Sequence, residues 1–214
     1  MALQGGRATG AHSFAIGSIS DIDAGTDYSI AEGPYSIAAL LGKATNAGAI
    51  AFGGSASGLY SFSRNGTAIG ENSIAFFGEA EGKGAIAIGD GAGAFGDRSV
   101  VINSGRALGN DSFVFNGDSY GANDIVFNGT SDGGNNFVVN GAISAGSNSI
   151  AINGDIVNGV DSIAIGGSVI SSVGAVSIGS GSSVSGLEAI AIGGGQAGGK
   201  NSIAIGSGET KYEG

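Results

Sequence analysis

A five-residue phrase returns along the whole chain at a short, nearly constant interval, and that interval limits the possible folds more than any other feature. The phrase is Ser162-Ile163-Ala164-Ile165-Gly166, repeated intact at Ser202–Gly206. It reads S-F-A-I-G from Ser13, A-I-A-F-G from Ala49, A-I-A-I-G from Ala85 and Ala189, and A-V-S-I-G from Ala175. First positions fall at 13, 36, 49, 61, 73, 85, 99, 112, 124, 136, 149, 162, 175, 189 and 202. After the first step of 23, every spacing is 12, 13 or 14 residues. Self-similarity at a fixed short period marks a solenoid. The period is too short for a helical pair or a propeller blade and fits one coil carrying two short strands.

Each phrase alternates. Its second and fourth residues are apolar and point one way; the first, third and fifth are small and point the other. Packing apolar side chains inside predicts that Ile163, Ile165, Ile203 and Ile205 fill the core of the roll. The Ser/Ala face is then left free for a second chain to approach. A glycine stands three residues before the phrase in most units, as at Gly10, Gly33, Gly58, Gly70 and Gly146; Asn46 and Ser172 take that place twice. The fixed offset reads as a left-handed corner.

Composition agrees with a roll and not with a globular fold. There are 45 glycines and one proline but no G-X-Y triplet, which excludes collagen. The chain is 42% apolar, and periodically so, which excludes disorder. Cysteine is absent, so neither a disulfide nor a cysteine metal site exists. Eight basic against eighteen acidic residues give a formal charge of −10 with no basic cluster. Nucleic acid and anionic membranes are therefore disfavoured as partners. No apolar run reaches membrane-spanning length. The start of the chain has no apolar signal core, so any export signal is expected to lie outside this sequence.

Several stretches depart from the period. Residues 18–28 are excess and contain Asp21, Asp23 and Asp27, a weak candidate for calcium that lacks the distal Glu of a calcium loop. The bland reading is a solvated acidic loop. Leu40-Leu41 delay the closing glycine of one unit, and Phe77 reads as an added residue in another. Arg64 takes a fourth position, where it must be exposed or paired. Over 99–154 the third position becomes Val, at Val101, Val114, Val126 and Val138, and Phe becomes frequent. The fifth becomes Asn103, Asn116, Asn128, Asn140 and Asn153. Asn accepts turn geometry and stacks its amides coil on coil. The other reading is a polar ladder beside a symmetry axis, holding water or an ion. The expectation is a structural column along the axis that sets chain register. The tail, 208–214, fits no coil.

The G-x-x-S-I-A-I-G unit, from about Ala11 to Ser207, resembles the head repeat of trimeric autotransporter adhesins, the YadA-like heads, also found in bacteriophage tail fibres. The resemblance implies an all-β, left-handed parallel β-roll of about fifteen coils in one head-like domain over 1–214. It also implies a parallel homotrimer. The implied function is attachment at the bacterial cell surface, with a host-cell, matrix-protein or glycan receptor. A structural or receptor-binding segment of a virion tail fibre is the alternative. The collagen-associated phrase N-S-V-A-I-G-x-x-S is matched only in part by Asn201–Gly206, with Ile203 for Val and Glu209 at the last Ser. No cofactor is implied. Catalysis is not expected: there is one histidine, His12, and acidic residues do not recur at matched coil positions.

Overall fold

The computed structural model describes residues 1–17 and 28–211. Among them every regular element is a strand, and every strand pairing is parallel. The candidate calcium residues Asp21, Asp23 and Asp27 lie outside the described residues. The chain divides into two compact units, Met1–Asn110 and Asp111–Gly214. Each is a parallel β-solenoid, with about fifteen turns in the two together.

In most coils a phrase strand, such as Ile163–Ile165, is followed by a shorter strand, such as Val169–Ile170; at Val100–Ala107 and Phe113–Ser119 one strand runs through both. Coil stacks on coil in strict register. In the first unit Ala38 pairs with Ala51, Ala51 with Ser63, and Ala75 with Ala87. In the second, Ala151 pairs with Ala164 and Ala164 with Ser177. The two ends also take part. Ala2–Leu3 pairs with Ala15–Ile16, so the lead-in is a coil in its own right. Glu209–Thr210 pairs with Gln196–Ala197, so residues of the expected tail complete the last coil.

The facing of the phrase strand is the reverse of the sequence expectation. Ser162 and Ala164 are fully buried, whereas Ile163 and Ile165 are half-exposed. Ile203 and Ile205 are 60% and 69% exposed. Third positions are buried in every coil, from Ala15 to Ala204, and so are the inward residues of the short strands, such as Ala44, Ala56, Ala68 and Ala80. The interior is therefore walled by two columns of mostly Ala-sized side chains. Two short strands joined by tight turns stand too close for two large side chains to face each other, so a large residue such as Ile170 fits only opposite a small one, and packing at native density leaves no slack. The valines of the 99–154 block, Val101, Val114, Val126 and Val138, lie in this interior and not along an interchain axis.

The G-x-x-S spacing has a steric origin. A Cβ on Gly10, Gly70 or Gly146 would overlap the backbone carbonyl of Gly33, Gly82 or Gly159 in the next coil. None of these glycines has a positive φ. They are required by close approach and not by handedness. The serine three residues on donates its hydroxyl to the carbonyl of the same glycine: Ser36 to Gly33, Ser61 to Gly58 and Ser73 to Gly70, each at 2.7 Å. That bond satisfies the buried hydroxyl. The left-handed corner sits one residue before the phrase instead. Every such residue, from His12 (φ 57) to Asn201 (φ 56), has positive φ.

Candidate interaction surface

Because the small residues turn inward, the phrase strands present their second and fourth residues outward. In the second unit the second-position column runs Phe113, Ile125, Phe137, Ile150, Ile163, Val176, Ile190, Ile203. The fourth-position column beside it runs Phe115, Phe127, Val139, Ile152, Ile165, Ile178, Ile192, Ile205. No polar residue interrupts either. The first unit has a stripe of its own, through Ile37, Ile50, Phe62, Ile74 and Ile86. Its phenylalanines touch, with ring centroids 5.2 Å apart for Phe62 and Phe76.

This stripe is large and apolar, and it is uncovered in a single chain. Burying a whole Ile side chain stabilises by about 1.5–3 kcal/mol, so covering the exposed half of each gives roughly 1 kcal/mol. Summed over the eight rungs of the second unit, two residues each, the gain reaches the order of 10 kcal/mol per chain. Association costs an estimated 4–15 kcal/mol. A contiguous apolar patch of this kind marks an interaction site.

Arg64 is the one charged residue in the stripe. It is exposed at a fourth position between Phe52 and Phe76, and among the described residues no ion pair holds it.

The asparagine column lies elsewhere than expected. Asn103, Asn116, Asn128, Asn140 and Asn153 all have positive φ, between 55° and 78°, and close the turn after the phrase strand. The left-handed turn breaks the alternation, so the fifth position does not share the inward face of positions one and three. Asn116 is half-buried and the other four are exposed. Asn116 Nδ2 donates to Asn128 Oδ1 at 2.9 Å, and Asn140 Nδ2 to Asn153 Oδ1 at 2.9 Å. These are amides stacked coil on coil at a corner.

A second amide ladder escaped the sequence reading. On the left-handed corner before the phrase, Asn123 donates to Asn135, Asn135 to Asn148 and Asn148 to the carboxylate of Asp161, at 3.1, 3.1 and 2.9 Å. The signal was present: ten of the fifteen residues at this corner are Gly, Asn or Asp. In the first unit the same corner carries His12, Tyr35 and Tyr60, with the His12 and Tyr35 rings stacked 5.1 Å apart.

Buried polar groups line part of the second unit's interior. Asp124, at a first position, accepts from Ser119 Oγ and from the backbone N–H of Asn136, each at 2.9 Å. Asp155 accepts from the backbone N–H and the hydroxyl of Ser168. Among the described residues no three His, Cys, Asp or Glu side chains come together as a metal site would need. Among the described residues no helix is long and apolar enough to cross a membrane.

Residues 80–102, 171–195 and 196–208 match the YadA head domain repeat. No curated protein matches the chain.

Proposed function

We propose that this chain, which carries YadA head domain repeats, is the non-enzymatic attachment head of a trimeric surface fibre. The family is one of trimeric autotransporter adhesins in general, so adhesin-like function is the coarse reading. The finer reading has three copies packing in parallel through their outward Ile/Phe stripes, with the remaining surface presented to a host cell or matrix at the bacterial exterior.

The observation that carries it is the stripe itself: two adjacent apolar columns, uncovered in one chain and in register along each unit. Three flat apolar faces close on one another around a three-fold axis with no free end. Ala-walled rolls have thin cores, so covering the stripe also supplies stability that a lone chain lacks. The small Ser/Ala face is occupied inside the roll and is no longer a candidate for chain-to-chain contact.

The test has two parts. Sedimentation equilibrium at micromolar concentration should give three times the chain mass. Beads coated with the protein should adhere to cultured cells or immobilised matrix, and beads coated with the heat-unfolded protein should not. A monomer, or adhesion equal to that of the unfolded control, refutes the proposal.

A further inference from the structure

A groove of about 550 Å³ runs along the short-strand side of the first unit, crossing the coils between Gly53 and Arg106. Its floor is made of small residues, and it follows the column in which Thr67 pairs with Glu79, Glu79 with Gly93 and Gly93 with Arg106. The Phe95 ring lies over Gly93, where a Cβ would run into it. Phe77 and Phe95 supply aromatic surface, and Asn65 lines the same groove.

Phe77 is the aromatic at a turn position in this groove. It is not an insertion, because the phrases before and after it start 12 residues apart on both sides. It stands at the fifth position, where the adjacent coils have Asn65 and Gly89, and it takes their left-handed backbone, with φ 62. A bulky aromatic in that region is rare and strained. Its side chain is also 53% exposed. Tyr35 and Tyr60 share this combination at the corner before the phrase, but neither lines the groove, and Phe77 does. Glu79 is exposed, and slight desolvation raises its carboxyl above the ordinary value, with the neighbouring Glu81 charge and a hydrogen bond with Glu81 adding to the rise.

The occupant follows from the donors on offer. Backbone groups along the groove are used between coils, as where Ser55 N–H meets Gly66 O and Thr67 N–H meets Gly78 O, both at 2.9 Å. A peptide therefore finds no free strand edge to extend. What remains is the Thr67 hydroxyl, the Asn65 amide and the Glu79 carboxylate beside aromatic surface, which suits a ligand of alternating C–H faces and hydroxyls. The chain's formal charge of −10 disfavours a polyanion.

We propose that this groove binds a neutral oligosaccharide, with Phe77 and Phe95 against the sugar faces and Asn65, Thr67 and Glu79 on its hydroxyls. The proposal names a ligand class for the attachment head and rests on that reading for its biological sense.

Titration calorimetry with cellopentaose, chitopentaose and maltopentaose tests it, with a hyaluronan oligosaccharide as the acidic arm. At least one neutral sugar should bind. Phe77→Gly should weaken that binding at least tenfold while Tm stays level or rises, because Gly is the ordinary residue at this turn. Glu79→Gln should weaken it less. Absence of binding by all three neutral sugars, binding of hyaluronan alone, or unchanged affinity in Phe77→Gly overturns the proposal. Adhesion of coated beads is scored in parallel. Sugar binding without adhesion would count against the attachment head and leave the groove standing, and adhesion without sugar binding would do the reverse.

Discussion

The coils starting at Ser112, Asp124 and Asn136 and those starting at Ser149, Ser162 and Ala175 fill the same kind of interior from opposite sides. In the first group the phrase strand brings the larger residue, Val114, Val126 or Val138, and the short strand brings Ser119, Ser131 or Ser144. In the second group the phrase strand brings Ala151, Ala164 or Ser177, and the short strand brings Val157, Ile170 or Val184. The large side chain changes walls at the coil starting at Ser149, and the total stays nearly constant. Inward positions are thus limited by size, two residues sharing one allowance. The outward positions of the same coils do not trade: Phe, Ile or Val stands at both in every one of them. They are limited by apolar character, as a surface that must be covered would be.

A charge placed inward tests the size-limited side most severely. Ala164 is fully buried, and Ala164→Asp puts an unpaired carboxylate into a dry interior. The expected loss is several kcal/mol, read by urea denaturation, with no folded protein at 37 °C as the extreme result. A melt within a degree or two of the parent would show that the interior is not where it is described.

The trade between walls is sharpened by a pair of smaller changes. Ile170→Ala should cost about 2–5 kcal/mol through the cavity it leaves. Ala164→Val alone should cost about 1–3 kcal/mol through crowding. Together they recreate the arrangement of the preceding coils, and the double variant should recover at least 1 kcal/mol of the summed losses. Strict additivity in a double-mutant cycle would mean that the two walls do not share volume.

Glycines separate by cause in the same way. Gly146→Ala drives a methyl into the Gly159 carbonyl, a backbone atom that cannot turn aside. Gly141 has φ 75 and open space around the missing Cβ. Gly141→Ala should cost about 1 kcal/mol, the ordinary left-handed penalty, and Gly146→Ala clearly more. Equal losses in thermal melts would return the repeated glycine to the role of a plain turn residue.

Much of the architecture was legible in the sequence. The 12–14-residue period set the parallel coil, the strand pair and the register, since stacked coils align equal positions. Alternation within Ser162–Gly166 showed two faces but not which of them was inside. Hydrophobicity placed Ile163 and Ile165 inward; the narrow coil placed Ala164 there instead, and coil width is not written in any single phrase. Gly146 was read as a left-handed corner, yet a fixed glycine alone does not distinguish left-handed backbone from close approach. Asn140 was read as an axis residue because alternation was carried one residue past the strand, into a turn that ends it. Phe77 looked like an insertion because its side chain is wrong for its backbone. Spacing alone placed it in register, and only the structure showed its φ.

Whether the outward stripe joins chains is most directly measured by sedimentation equilibrium of the parent and of Ile152→Asp/Ile165→Asp, with circular dichroism on the same samples. These residues lie in adjacent coils, both half-exposed in one chain. The parent should sediment at three chain masses. The double variant should sediment at one across the micromolar range while keeping its β signal at low temperature, since neither substitution touches the roll interior. A variant that still associates as the parent does, or a parent that is itself a monomer, would contradict the stripe's role.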